Sequence, residues 1–158
     1  MSILLDIITD PNPILRKKSK EIDLEKIKDN TLQQLISDIT KTMQEKDGVG
    51  LAAPQIGKNI RLIIVNLKNG ILAMVNPVIT KKSWAKCIDE EGCLSVPNIF
   101  KKVERHKKIS CSYFDFNGKQ KKLKLNNRDA RIIQHEVDHL DGILFIDKII
   151  DTKKTNEQ

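Results

Sequence analysis

A chain of 158 residues has the usual length of one domain, with volume for a single core. Its 39% hydrophobic and 31% charged residues are a globular balance, and no apolar run approaches the ~20 residues that span a bilayer. The net charge of +7 admits nucleic acid as a partner, but the lysines come as scattered doublets and aromatics are only 4% of the chain, too few for base stacking. We therefore read the lysines as a solvated surface with at most a general attraction to RNA. We expect no specific nucleic-acid site and no membrane. Three cysteines do not describe a disulfide framework, and the start lacks a secretory signal, so the expected home is a reducing cytoplasm.

The chain opens in an extended segment that turns at Pro11-Asn12-Pro13, followed by a charged stretch from 16 to 29 with little pattern. Leu32, Leu35, Ile36, Ile39 and Met43 then fall at helical spacing, which predicts an amphipathic helix ending near Gly48. Thr31 and Gln34 suit a capping box at its start. Gly48-Val49-Gly50-Leu51-Ala52-Ala53-Pro54-Gln55 predicts a tight loop of small residues where backbone can approach a ligand. It lacks the glycine spacing and the Lys-Ser/Thr of a phosphate loop. Gln55 is the residue here whose amide could serve chemistry.

Residues 61–66 and 72–80 read as short strands joined at Asn69-Gly70. Trp84 reads as a packed or edge residue, and Cys87 and Cys111 as small buried hydrophobes. Cys93 differs from them, because it follows two carboxylates and a glycine at a strand-to-loop change. Residues 103–116 and 119–125 read as a hairpin around Asn117-Gly118, with His106 an exposed strand residue.

Gln134-His135-Glu136-Val137-Asp138-His139-Leu140 then carries two of the three histidines. Apolar Ile132, Ile133, Val137 and Leu140 predict a helix, and Gly142 a stop. At i and i+4 the imidazoles of His135 and His139 share one helical face, as two ligands of one ion require. A neighbouring acid can act as a base, although the helical wheel does not choose between Glu136 and Asp138. Cys93 is the candidate third ligand, leaving a fourth position open for water.

The loop at 48–55, Glu91-Gly92-Cys93-Leu94-Ser95 and the His135–His139 stretch together resemble the three motifs of peptide deformylase, in the family's order and approximate spacing. The likeness runs from Pro11-Asn12-Pro13-Ile14-Leu15-Arg16 to Leu144-Phe145-Ile146-Asp147. It implies an α+β fold of antiparallel β-strands around a central metal-binding helix, with an N-terminal amphipathic helix. Residues 1–150 would form the one catalytic domain, with a short polar tail at 151–158.

The implied reaction removes the N-terminal formyl group from formyl-methionine of nascent polypeptides and releases formate. Cys93, His135 and His139 would hold one divalent ion, Fe(II) in the cell, with Zn, Ni or Co able to replace it. Glu136 would be the base, with Asp138 structural. Gln55 and the Leu94 N–H would meet the oxyanion, and Val49 and Gly50 would hold the peptide extended. Ile132 and Arg128 would line the pocket for the first side chain, Arg128 being a charge where an apolar residue is expected. Asn127 stands where glycine is common. Glu91 and Arg105 resemble a pair that orients the cysteine loop, the alternative for Arg105 being a surface charge. Many relatives continue into a C-terminal helix; the ribosome stays a candidate partner, with the short tail putting docking through such a helix in doubt.

Two other readings make different demands. A metallopeptidase would need a third ligand after His139, where only Asp141 and Asp147 are near. An RNA- or ribosome-associated binding protein would leave Gln55 and Glu136 dispensable.

Overall fold

Leu62–Leu67 reads Leu-Ile-Ile-Val-Asn-Leu, apolar at both odd and even positions. A strand with this pattern needs cover on both faces. The computed structural model, which describes residues 1–151, supplies that cover with two helices, Asn30–Glu45 (α1) and Asn127–Leu140 (α2). The strands are Gly50–Ala52 (β1), Leu62–Leu67 (β2), Gly70–Lys82 (β3), Lys86–Cys93 (β4), Val96–His106 (β5), Lys108–Phe114 (β6) and Gln120–Asn126 (β7). An antiparallel five-stranded sheet runs β1-β2-β3-β6-β7, while β4 and β5 pair as a separate hairpin.

The two-residue period of β2 divides its side chains between two cores. Ile63, Val65 and Leu67 pack with Ile132, Ile133, Val137 and Leu140 of α2. Leu62 and Ile64 pack with Leu32, Ile39 and Met43 of α1. A third cluster joins Val96 and Val103 of the hairpin to Leu15, Leu144 and Phe145. Each fully buried aliphatic side chain contributes about 1.5–3 kcal/mol, so both helices are fixed to the sheet along their whole apolar stripes.

Both ends of α2 are set locally. Asn127 opens it at φ 49°. This left-handed conformation favours glycine, and asparagine is among the few other residues that adopt it readily. Gly142, at φ 74°, closes it. The Gly142 N–H reaches the His139 carbonyl at 3.2 Å and the Ile143 N–H reaches that of Asp138 at 2.9 Å, a Schellman pattern. A side chain at 142 would also run into the Arg16 carbonyl.

Several local expectations are corrected. The single strand expected over 103–116 is two strands broken at Lys107, and β5 pairs with β4 rather than joining the β6–β7 hairpin. The break carries no glycine or proline; it is held by Lys107 N–H to the Ala85 carbonyl, at 2.9 Å. His106 is half-buried rather than exposed, its Nδ1 2.7 Å from the Ser83 carbonyl oxygen. Trp84 is unpacked at the β3–β4 turn, 99% exposed. Of the two cysteines expected to be buried, Cys111 is buried and Cys87 only half-buried.

The small-residue loop contains strand β1 and a 3-10 turn, Ala53–Ile56. No capping box forms at Thr31, because α1 begins one residue earlier and the N-terminal segment claims the polar groups of its first turns. Gln34 donates to the Met1 carbonyl at 3.0 Å and to Asp38 at 2.8 Å, while Ile3 N–H donates to Asp38 at 2.9 Å. The tail expected at 151–158 lies outside the described residues, apart from Asp151.

Candidate metal centre

His135 and His139 stand four positions apart on α2, and their ring centroids lie 5.1 Å apart. Cys93 reaches them from the last position of β4, just before the Leu94-Ser95 turn, with its Sγ 3.3 Å from His139 Nε2. The ligand-capable atoms of Cys93, His135 and His139 all lie within 4.8 Å of one another. Ligands at 2.0–2.3 Å from one tetrahedral ion stand about 3.5 Å apart, so this spacing fits one ion. Three protein donors leave a coordination position open.

Glu91 organises the centre from behind. Its Oε1 accepts from Arg105 Nη2 at 2.9 Å and lies 2.8 Å from His135 Nδ1. Its Oε2 accepts from Arg105 Nε at 2.9 Å and from Arg131 Nη1 at 2.6 Å. Holding Nδ1 of His135 in this way leaves its Nε2 for an ion. Burial opposes a charge on Glu91, but hydrogen bonds from Arg105 and His135 outweigh it and keep the carboxyl far below the ordinary range. Arg105 is 3% exposed, which excludes a surface charge, and its other arm reaches Asp138. Asp138 faces Arg105 and Lys148. Burial also disfavours charge on His135, yet contacts with Cys93 and Glu91 push its pKa up to about 10. His139 goes the opposite way, because burial and the nearby His135 hold it well below the usual histidine value.

Arg131 and Gln134 escaped the sequence reading. Arg131 joins Glu91 to the carbonyls of Val103 and Cys87, at 2.9 and 2.8 Å, and so ties α2 to both strands of the hairpin. Gln134 clamps His106 by donating to its carbonyl at 2.9 Å and accepting from its N–H at 3.0 Å. The available signal was position: Arg131 lies one turn before His135 on the same face, where a cation needs a partner.

Glu136 is 4% exposed, and among the described residues its Oε2 has no partner. Burial, partly offset by His135, raises its pKa to about 7. Gly50 makes its position possible, since a Cβ there would stand 2.5 Å from Oε1. Gln55, also buried, is oriented by its own amide. Its oxygen accepts from Ala52 N–H at 2.9 Å, so its NH2 donates to Ser95 Oγ at 3.1 Å and faces Cys93 Sγ at 3.5 Å. A cavity of about 600 Å³ opens beside Glu136 and His135, walled in part by Val49, Gly92, Arg128 and Ile132. Leu94 is not in that wall; its side chain packs over Gly48.

The acids after His139 are engaged elsewhere. Asp141 pairs with Arg61 at 3.0 Å, and Asp147 pairs with Arg16. The downstream ligand that a metallopeptidase requires is therefore absent among the described residues. A helix and a hairpin turn thus bring together three soft and borderline donors that could hold one metal ion, beside a buried carboxylate, an arrangement that fits the class of metal-dependent hydrolases.

The comparisons make this class specific. A family model described as polypeptide deformylase matches residues 4–155. The chain is 40% identical over 157 residues to the peptide deformylase of Desulfotalea psychrophila, covering 96% of this chain and 90% of that one. The solved peptide deformylase of Thermotoga maritima superposes with a TM-score of 0.90 at 39% identity, over 94% of this chain and 99% of that one. A Met-Ala-Ser-bound class I type b peptide deformylase from Acinetobacter baumannii gives 0.89 at 36% identity, over 94% and 100%. The chain belongs to the polypeptide deformylase family. It is an enzyme of protein biosynthesis whose reaction removes the formyl group from the N terminus of nascent peptides.

Proposed function

We propose that Cys93, His135 and His139 hold one divalent ion and that Glu136 moves the protons of formyl-methionine hydrolysis. The carrying observation is the Glu136 carboxylate, buried with an unpartnered oxygen next to a ligand set of matching size. The unpartnered His139 Nδ1 is a second polar atom of the same region without a partner among the described residues. One thiolate and two imidazoles suit Fe(II), Zn, Ni or Co; we assign Fe(II) in the cell. Such an ion, when bound, would supply Lewis acidity to a water and to the formyl group.

The rest is the work of the chain. Glu136 accepts the proton of the attacking water and later delivers it to the departing amine, a task for which a carboxyl with a raised pKa is suited. The Gln55 NH2 and the Leu94 backbone N–H stabilise the developing oxyanion, each worth about 2.7–4 kcal/mol. Val49 and Gly50 hold the peptide extended beside the edge strand β1. Ile132 lines the pocket for the first side chain with Arg128 at its outer rim, and the Met-Ala-Ser held by the Acinetobacter relative supports a methionyl peptide here. Glu91 and Arg105 position His135 and the cysteine turn.

Among the described residues no helix is long and apolar enough to cross a membrane. We place the enzyme in a bacterial-type cytoplasm, where its net charge of +7 draws it toward the RNA of the ribosome on which its substrates emerge.

The deciding assay is formate release from formyl-Met-Ala-Ser by protein purified anaerobically and loaded with Fe(II) or Ni(II), beside Glu136→Ala. The parent should turn over. The variant should lose about 10²–10⁴-fold in rate while keeping its metal. Equal rates would remove Glu136 from the mechanism, and a protein that binds no metal would end the hydrolytic reading.

A further inference from the structure

Arg128 stands in an awkward place for a cation. It lies in the first turn of α2, where the helix dipole favours negative groups. Its neighbour Asp129 is already engaged, both oxygens accepting from the Lys68 N–H at 3.2 Å. The Arg128–Asp129 ion pair is accordingly long, 3.6 Å, and 59% of the Arg128 side chain is exposed. Its contact with the Asn66 carbonyl, at 3.5 Å, is at the limit of a hydrogen bond. Helix stability gives no reason for this residue, yet it lines the cavity that reaches His135 and Glu136.

We propose that Arg128 is a specificity-determining residue that favours formylated peptides with an acidic side chain at the second or third position. The proposal rests on the deformylase reading of the site. A carboxylate in the first side chain is disfavoured, because Asp89 and Glu90 of β4 line the same cavity, and apolar Val49, Ile88 and Ile132 suit an uncharged group. Arg128 stands seven positions before His135, about 10 Å along the helix axis. That is the length of about three extended residues. The exposed guanidinium can take a carboxylate with two parallel hydrogen bonds.

The test measures kcat/KM on C-terminally amidated formyl-Met-Xaa-Ser and formyl-Met-Ala-Xaa, with Xaa Glu, Gln or Lys. The parent should prefer Glu over Gln by about two- to fivefold at low salt, the scale of an exposed ion pair. Lys should be poorer than Gln, and the preference should shrink as ionic strength rises. In Arg128→Gln the Glu-to-Gln ratio should fall to about one, and Arg128→Lys should retain part of it. A ratio that is flat in the parent, or equal in parent and Arg128→Gln, overturns the proposal. Absence of turnover on every peptide, formyl-Met-Ala-Ser included, defeats the deformylase reading and this one with it.

Discussion

Gly50 has no side chain, and the Glu136 carboxylate stands where one would go. Alanine at this position would meet the carboxylate and the Cγ of Glu136, at 2.5 and 2.7 Å, rather than a backbone restriction, so the fold should survive at some cost in stability while Glu136 is pushed away. Misplacing a reacting group by about 1 Å can cost about 10²-fold in rate. Gly50→Ala should therefore keep its fold and metal content, with a lowered thermal midpoint, but lose on that order in kcat. Full activity would mean that the carboxylate can take another position and still work. The sequence marks the loop as one where backbone comes close to something, and it names Gln55. It does not say that a carboxylate 86 positions later fills the gap, because such a fit exists only after the strand and helix pack. Arg131 was missed for the same reason: its partners, Glu91 and the carbonyls of Cys87 and Val103, belong to another element.

At the scale of elements, the helices and the two hairpins that turn near Asn69-Gly70 and Asn117-Gly118 were legible, while the partners of β4 and β5 and the β3–β6 pairing were not. The apolar period of α1 and the motif of α2 are local, so both appear in the sequence close to their observed bounds. The β5–β6 junction at Lys107 has no turn residue to announce it, and pairing between distant strands leaves no trace in either one alone. What docks the β4–β5 hairpin to α2 is a buried charge cluster, with Arg105 and Arg131 both on Glu91. Removing one member of such a cluster leaves another charge buried without its full complement, at a cost of about 3–5 kcal/mol. Arg105→Leu should lower unfolding free energy by that amount in urea titrations at neutral pH. A loss under 1 kcal/mol would show that solvent reaches Glu91 and that the cluster is not what holds the hairpin.

On the scale of the molecule, the three motifs lie far apart in sequence and meet at one seam between sheet, helix and hairpin. Their types and order, rather than any single spacing, made the chemistry readable. The architecture was readable only in outline, since a sheet order of β1-β2-β3-β6-β7 depends on long-range contacts. That order also leaves the hairpin outside the main sheet. Two of the proposed ligands ride on α2 and the third on the hairpin, so a bound ion is a removable cross-link between two cooperative units. By mass action, its loss weakens the closed state of the hairpin without touching the ladders of β2 and β3. Chelation should speed amide hydrogen exchange across Lys86–Cys93 and Val96–His106 and leave Leu62–Leu67 as protected as before. Uniform acceleration would mean that the protein opens as one unit. If only the hairpin responds, metal starvation would leave the cell a folded enzyme with one loosened flap, ready to close again when the ion returns.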